Sequence, residues 1–168
     1  MNALNAAGAA ASVPSVGLAG RAFRVEGGDG AHSAGPTDIE FIAICAACRR
    51  SGGIARGTEL AQCLGARGAG AHPGLEALIV GGQVFSFEWN HAWWVPMFQF
   101  GPERGPLPRP AMALVLAELE PVYDGWALAL WFTRPNAWLA GQQPLALLES
   151  ALPEVVAAAR ADRFIASL

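Results

Sequence analysis

The stretch WFTRPNAWLAGQQPLALLES, Trp131 to Ser150, decides how the rest of the chain is read. Pro135 stops the helix that carries Trp126, Leu130 and Trp131, because the residue before a proline avoids the helical region. Asn136 then bonds its own backbone in a tight turn, and Gly141 supplies a positive φ. Pro144 presets the first turn of a short helix through Leu148. The pattern is a helix, one turn around Asn136 and Trp138, and a restart, with no catalytic pair inside it.

Working outward, Pro153 starts a last helix carrying Val156, Ala159 and Phe164. Upstream, Asp124 caps the tryptophan-bearing helix. Met112, Val115, Leu116 and Leu119 form an apolar stripe at helical spacing, stopped by Pro121. Residues 101–108, GPERGPLP, read as a linker. Before it the period changes to two. In QVFSFEWNHAWWVPMFQF, Phe85, Phe87 and Trp89 share one face. With Asn90-His91 as the turn, Trp94 and Phe98 return on the same side. Pro96 removes a ladder N–H, so the returning strand is expected at a sheet edge.

Thr37-Asp38-Ile39-Glu40 is a capping box that opens a helix through about Arg50. Phe41, Ile42, Cys45 and Cys48 are expected on its core face, and Gly52-Gly53 ends it. A second helix begins near Thr58, with Leu60 and Leu64 inward. A third follows Pro73 and closes at Gly81-Gly82. Residues 1–36 read as a disordered arm: 17 of the 36 are Gly or Ala and no apolar period is present. The expected fold class is mainly α with one β-hairpin. A helix-turn-helix-like region with hairpin over 37–100 is followed by a small helical bundle over 109–168.

Composition bounds the function. The net charge is -3 from 11 basic residues, all arginine, and 14 acidic ones, which predicts no general affinity for polyanions. No apolar run approaches the roughly 20 residues of a membrane span. MNALNAAGAA lacks a basic leader region, so a cytoplasmic location is expected. Three cysteines, an odd number, argue against a secreted disulfide framework.

The residues Trp131, Pro135, Asn136, Leu139, Gly141, Pro144, Leu145 and Leu148 carry a family resemblance. Residues 108–166 resemble the toxin-binding domain of Xre/MbcA/ParS-type antitoxins. Where such domains often have Gly-Gly or Gly-Arg-Thr before the second proline, this chain has Gly141-Gln142-Gln143. The middle region is similar to a smaller winged helix-turn-helix relative that ends in Pro-x-Phe-Gln-Phe, here Pro96 to Phe100. The resemblance implies an antitoxin-like protein that binds and blocks a cognate toxin, often an NAD-consuming enzyme of the RES type. It also implies autoregulation through operator DNA, and a homo-oligomer. The residues implied for toxin binding are Arg134, Asn136, Trp138, Arg160, Arg163 and Phe164. Arginine suits the anchor role because it pairs bidentately with carboxylates.

DNA contact would fall to Arg56 and Arg67. A groove reader needs basic or polar side chains at the start of its second helix, whereas HPGLEALIV offers His72 and Glu76. Residues 37–100 carry four Arg against five acids. The alternative function is a stand-alone DNA-binding transcriptional regulator without a toxin partner.

Other chemistries fare worse. Cys45 and Cys48 with Cys63 and His72 match no common zinc spacing, and small core residues are the better reading. The aromatic hairpin lacks the arginines that a base-stacking platform needs. His32, His72 and His91 have no partners in sequence that name a reaction. Neither an enzyme nor a bound cofactor or metal is expected.

Overall fold

The computed structural model describes residues 36–66, 74–101 and 107–168. Most of the expected arm, the centre of the linker, His32, Arg67, His72 and Pro73 lie outside these residues.

The elements run α1 (Asp38–Cys48), β1 (Ile54–Arg56), α2 (Gly57–Ala66), α3 (Leu75–Val80), β2 (Phe87–Trp89) and β3 (Ala92–Pro96). They continue with α4 (Pro110–Leu119), α5 (Gly125–Thr133), α6 (Pro144–Leu147) and α7 (Leu152–Ala166). The molecule is mainly α with one small antiparallel sheet that contains the expected hairpin.

The local rules hold where side chains can act on their own backbone. The Thr37 hydroxyl accepts the Glu40 N–H at 3.2 Å. The Glu40 carboxylate reaches back to the Thr37 N–H at 3.4 Å, which completes the box. Asp124 accepts from the Ala127 N–H at 2.8 Å and so opens α5. Asn90 and His91 take φ of 52° and 55°. They form a two-residue type I′ turn between Trp89 and its partner Ala92.

The sheet departs from expectation. Ile54–Arg56 adds a third strand, and the order β1-β3-β2 makes β3 central rather than an edge. Pro96 is tolerated because it is the last residue of β3. The next N–H, that of Met97, continues toward the first strand by donating to the Gly53 carbonyl at 2.9 Å.

Two apolar clusters form. The larger joins Ile44 and Cys48 of α1, Phe85, Phe87 and Phe98 around the sheet, and the buried faces of α4, α5 and α7. Residues on either side of the 101–108 linker therefore contribute to this one cluster. Met112, Val115, Leu116 and Leu119 are all fully buried, as their spacing predicts. The smaller cluster sets Leu60, Leu75 and Leu78 of α2 and α3 against Val84, Val95 and Phe100. Thus β3 sends Trp94 to one cluster and Val95 to the other, the alternation of a strand covered on both faces.

Gln99 ties the hairpin region together. Its amide oxygen accepts the Phe85 N–H at 2.7 Å, and its nitrogen donates to the carbonyls of Phe85 at 2.9 Å and Pro96 at 3.0 Å. The side chain is fully buried and bonded at both ends, as a buried amide must be. Gly125 lets α5 start against this region, since a Cβ there would overlap the Ser86 carbonyl oxygen.

In α1 the core face is Phe41, Ile44 and Cys48. Ile42, expected inward, is 66% exposed. Beyond Asp38 and Glu40 in its first turn the helix is apolar on every side, so periodicity does not choose its face.

Candidate functional site

Of the residues implied for partner binding, Arg160, Arg163 and Phe164 lie on the second half of α7, Asn136 and Trp138 are bonded to it, and Arg134 lies apart, against α1. Asn136 is buried and holds the turn after Pro135. Its side-chain oxygen accepts the Trp138 N–H at 2.8 Å, and its backbone N–H donates to the Gln142 carbonyl at 3.0 Å. Gly141 takes φ 78°, and Ala140 beside it takes 53°.

The turn is then fastened to α7 through one carboxylate. Asp162 accepts from the Trp131 indole N–H at 2.7 Å, the Asn136 amide at 3.0 Å and the Trp138 indole N–H at 2.9 Å. Three donors from separate points of the opening stretch converge on one acidic group, and hydrogen bonds to an ionised acceptor are the stronger kind. Tyr123 lies within reach of this charge. Its phenol pKa is raised, first by burial and then by Asp162.

A second clasp joins α7 to α4. Arg160 donates to one Glu118 oxygen through Nε at 3.1 Å and Nη2 at 2.8 Å, and Arg163 donates to the other oxygen at 3.1 Å. Arg160 hydrogen bonding is the largest cause holding the Glu118 carboxyl below its ordinary value. Arg134 pairs in turn with Glu40 of α1 at 2.6 Å. Arg109, preceding α4, pairs with Glu149.

The six residues implied for partner contact therefore divide. Arg134, Arg160 and Arg163 are engaged with carboxylates of the chain itself, and Asn136 is a buried part of the turn. Trp138 and Phe164 remain 58% and 68% exposed. Ile165 at 55% extends this apolar end of α7. A shallow recess lined by Glu118, Arg160, Arg163, Phe164 and Ser167 lies beside it. The arrangement is an exposed apolar helix end, Phe164 and Ile165, on a helix that charge-assisted bonds tie to α4 and to the turn.

Sequence reasoning did not single out Glu118, or Asp162 as an acceptor. The available signal was chemical: indole N–H groups that pack against a core need acceptors. Asp162 is the acid on α7 placed to serve two of them.

Of the residues implied for DNA contact, Arg56 is exposed on β1. Its guanidinium carbon lies 5.2 Å from the Trp94 ring centroid, a cation–π distance. Arg67 lies outside the described residues. The exposed positions of α3 are Glu76, Ala77 and Val80, none of them basic. Cys48 is fully buried. Its thiol is pushed up to about 12, chiefly by burial, which keeps it protonated. Cys63 is exposed on α2. Among the described residues no three potential ligands cluster as a metal site, and no helix is long and apolar enough to cross a membrane. Comparison of the chain with models of protein families, with curated proteins and with solved structures gives no match.

Proposed function

We propose that this chain is an antitoxin-like protein that binds and blocks a cognate toxin, with the end of α7 as its contact surface. The observation that carries the reading is the exposure of Phe164 and Ile165 on the end of a helix that two carboxylates tie down, Glu118 from α4 and Asp162 to the turn, where exposed Trp138 is bonded to it. Surface aromatics held rigidly lose little conformational entropy on docking, which is what makes such residues effective anchors. Blocking needs only steric occlusion: a helix that covers the mouth of a partner's active site requires no reaction of its own. The resemblance of residues 108–166 to toxin-binding domains supplies the partner class, including an NAD-consuming toxin of the RES type.

Arg160 and Arg163 have a modified part in this proposal. With Glu118 already held, they orient the helix and rim the surface, and the apolar residues make the central contacts. Operator binding through Arg56 belongs to the same proposal as a secondary activity. The acidic and apolar surface of α3 supports it less than the α7 end supports protein binding.

The test is co-expression of the full chain with the product of the adjacent reading frame. A stoichiometric complex is expected, with the neighbour toxic when expressed alone. Phe164→Asp together with Ile165→Ser should abolish capture while leaving the circular dichroism unchanged, because both side chains are exposed. Capture that survives those changes would overturn the assignment. Deleting residues 153–168 is a poorer test, since Val155 and Ala159 are fully buried and their loss would damage the core itself.

A further inference from the structure

We propose that the outer face of α1 is a self-association surface, on which a second copy of this chain packs antiparallel about a two-fold axis. The face is a continuous stripe: Ile39, Ile42, Ala43 and Ala46 follow the i, i+3, i+4, i+7 spacing of one side of a helix. All four are exposed, Ile39 to 80% and Ile42 to 66%. The opposite side is already used, by Phe41, Ile44 and Cys48 in the main core. A helix with apolar stripes on opposite sides belongs between two apolar surfaces, and the chain itself supplies only one of them among the described residues.

The occupant is read from shape and charge. In an antiparallel pair centred between Ile42 and Ala43, Ile42 of each copy meets Ala43 of the other, and Ile39 meets Ala46. Large side chains are thus set against small ones, the arrangement that lets helices interlock closely. The polar ends also complement themselves. Helix α1 starts with Asp38 and is followed by Arg49 and Arg50, all exposed. No ion pair among the described residues uses any of the three. Antiparallel packing places Asp38 of one copy about 3 Å along the axis from the level of Arg49 of the second copy, within reach of a guanidinium. It also opposes the two helix dipoles. A parallel pair would set acid against acid and arginine against arginine. One surface that is its own complement is the requirement for an isologous dimer.

The helix has 11 residues and is therefore short, about 16 Å end to end. Its face is smaller than a standard permanent interface, so the dimer should form in a concentration-dependent equilibrium. The surface involves none of the α7 residues assigned to partner contact, so its failure and that reading's failure are separate results.

Sedimentation equilibrium of the full chain over a concentration series tests the proposal. A monomer–dimer equilibrium is expected, with Ile42→Glu shifting its midpoint to higher concentration by about tenfold or more. Thermal unfolding of that variant at low concentration should match the parent, because Ile42 is already in water in the single chain. Asp38→Arg should weaken the dimer, and adding Arg49→Asp and Arg50→Asp to the same chain should restore it. A chain that stays monomeric throughout, or a dimer that Ile42→Glu leaves unchanged, overturns the proposal. A dimer sensitive to Ile42→Glu but not rescued by the combined charge reversal overturns the antiparallel register.

Discussion

In α1 the seated and exposed faces are chemically alike, with Phe41, Ile44 and Cys48 inward and Ile39, Ile42 and Ala46 outward. The two faces of α7 differ: Val155, Ala158 and Ala159 are buried, while Arg160, Asp162 and Arg163 face polar partners. Apolar burial and aromatic packing hold α1. Phe41 stacks on Trp89 at 3.7 Å between ring centroids. By contrast, α7 carries small residues against the core and gains its orientation from two carboxylates, Asp162 reaching the turn and Glu118 reaching across from α4. The lesson is about precision. Burial holds a helix firmly but lets it present whatever lies opposite, whereas directional bonds near its end fix how that end points.

Breaking each kind of attachment should give distinguishable results. Ile44→Ala removes a fully buried side chain from the face that seats α1. About 2–5 kcal/mol of stability should be lost. Urea unfolding measures it, and the loss should be insensitive to salt. A loss below about 0.5 kcal/mol, the range of surface substitutions, would mean that burial does not hold α1.

Asp162→Ala leaves three donors without their acceptor. Trp138 is exposed and turns to water, so the cost falls mainly on Trp131 and Asn136. For two such donors a loss of about 2 kcal/mol is expected. Tryptophan emission should shift to the red as the turn loosens. Partner capture should fall even at temperatures where the variant is fully folded, because the proposed contact surface loses its orientation. Asp162→Asn, which keeps acceptor oxygen but not the charge, should fall between the parent and Asp162→Ala. Equal behaviour of all three chains would show that the clasp positions nothing.

The contrast between the helices also explains what the sequence made legible. Breakers and caps act over a few residues, so the capping box at Thr37, the cap at Asp124, the turn at Asn90-His91 and the positive φ at Gly141 could all be read directly. The α4 stripe was readable because Met112, Val115, Leu116 and Leu119 recur at helical spacing between two breakers. The inward face of α1 was not, since past its first turn the helix has no polar side to give a phase, and the spacing that points Ile42 inward misleads. The strand at Ile54–Arg56 is three residues long, too short to show a period, and without it β3 looked like an edge. The exposed aromatics at Trp138 and Phe164 fell within the stretches that the sequence marked out. The carboxylates that orient them did not show, because Glu118 lies 42 residues from Arg160 and Asp162 lies 31 from Trp131. Pairing at that range depends on the packing of α4 and α5 against α7, which no local rule encodes.

The smallest expected effect is the pH dependence of the Glu118 clasp, and its sign follows from the lowered carboxyl. A carboxylate whose pKa falls on folding stabilises the native state above its ordinary value, and that contribution is lost as pH drops through the lowered folded value. For Glu118 the ordinary value is 4.5. Glu40 is also lowered and declines over the same range, while Glu120, raised by burial, works in the opposite direction. The informative quantity is therefore a difference between chains. Glu118→Gln should be slightly less stable than the parent at neutral pH, as expected for a clasp open to solvent screening. The gap should narrow steadily below pH 4.5, with the other two carboxylates cancelling in the comparison. Chemical unfolding of both chains at matched pH values measures it. A gap that stays constant into acid would mean that the clasp does not depend on the Glu118 charge, and the directional hold on α7 would then rest on Asp162 alone.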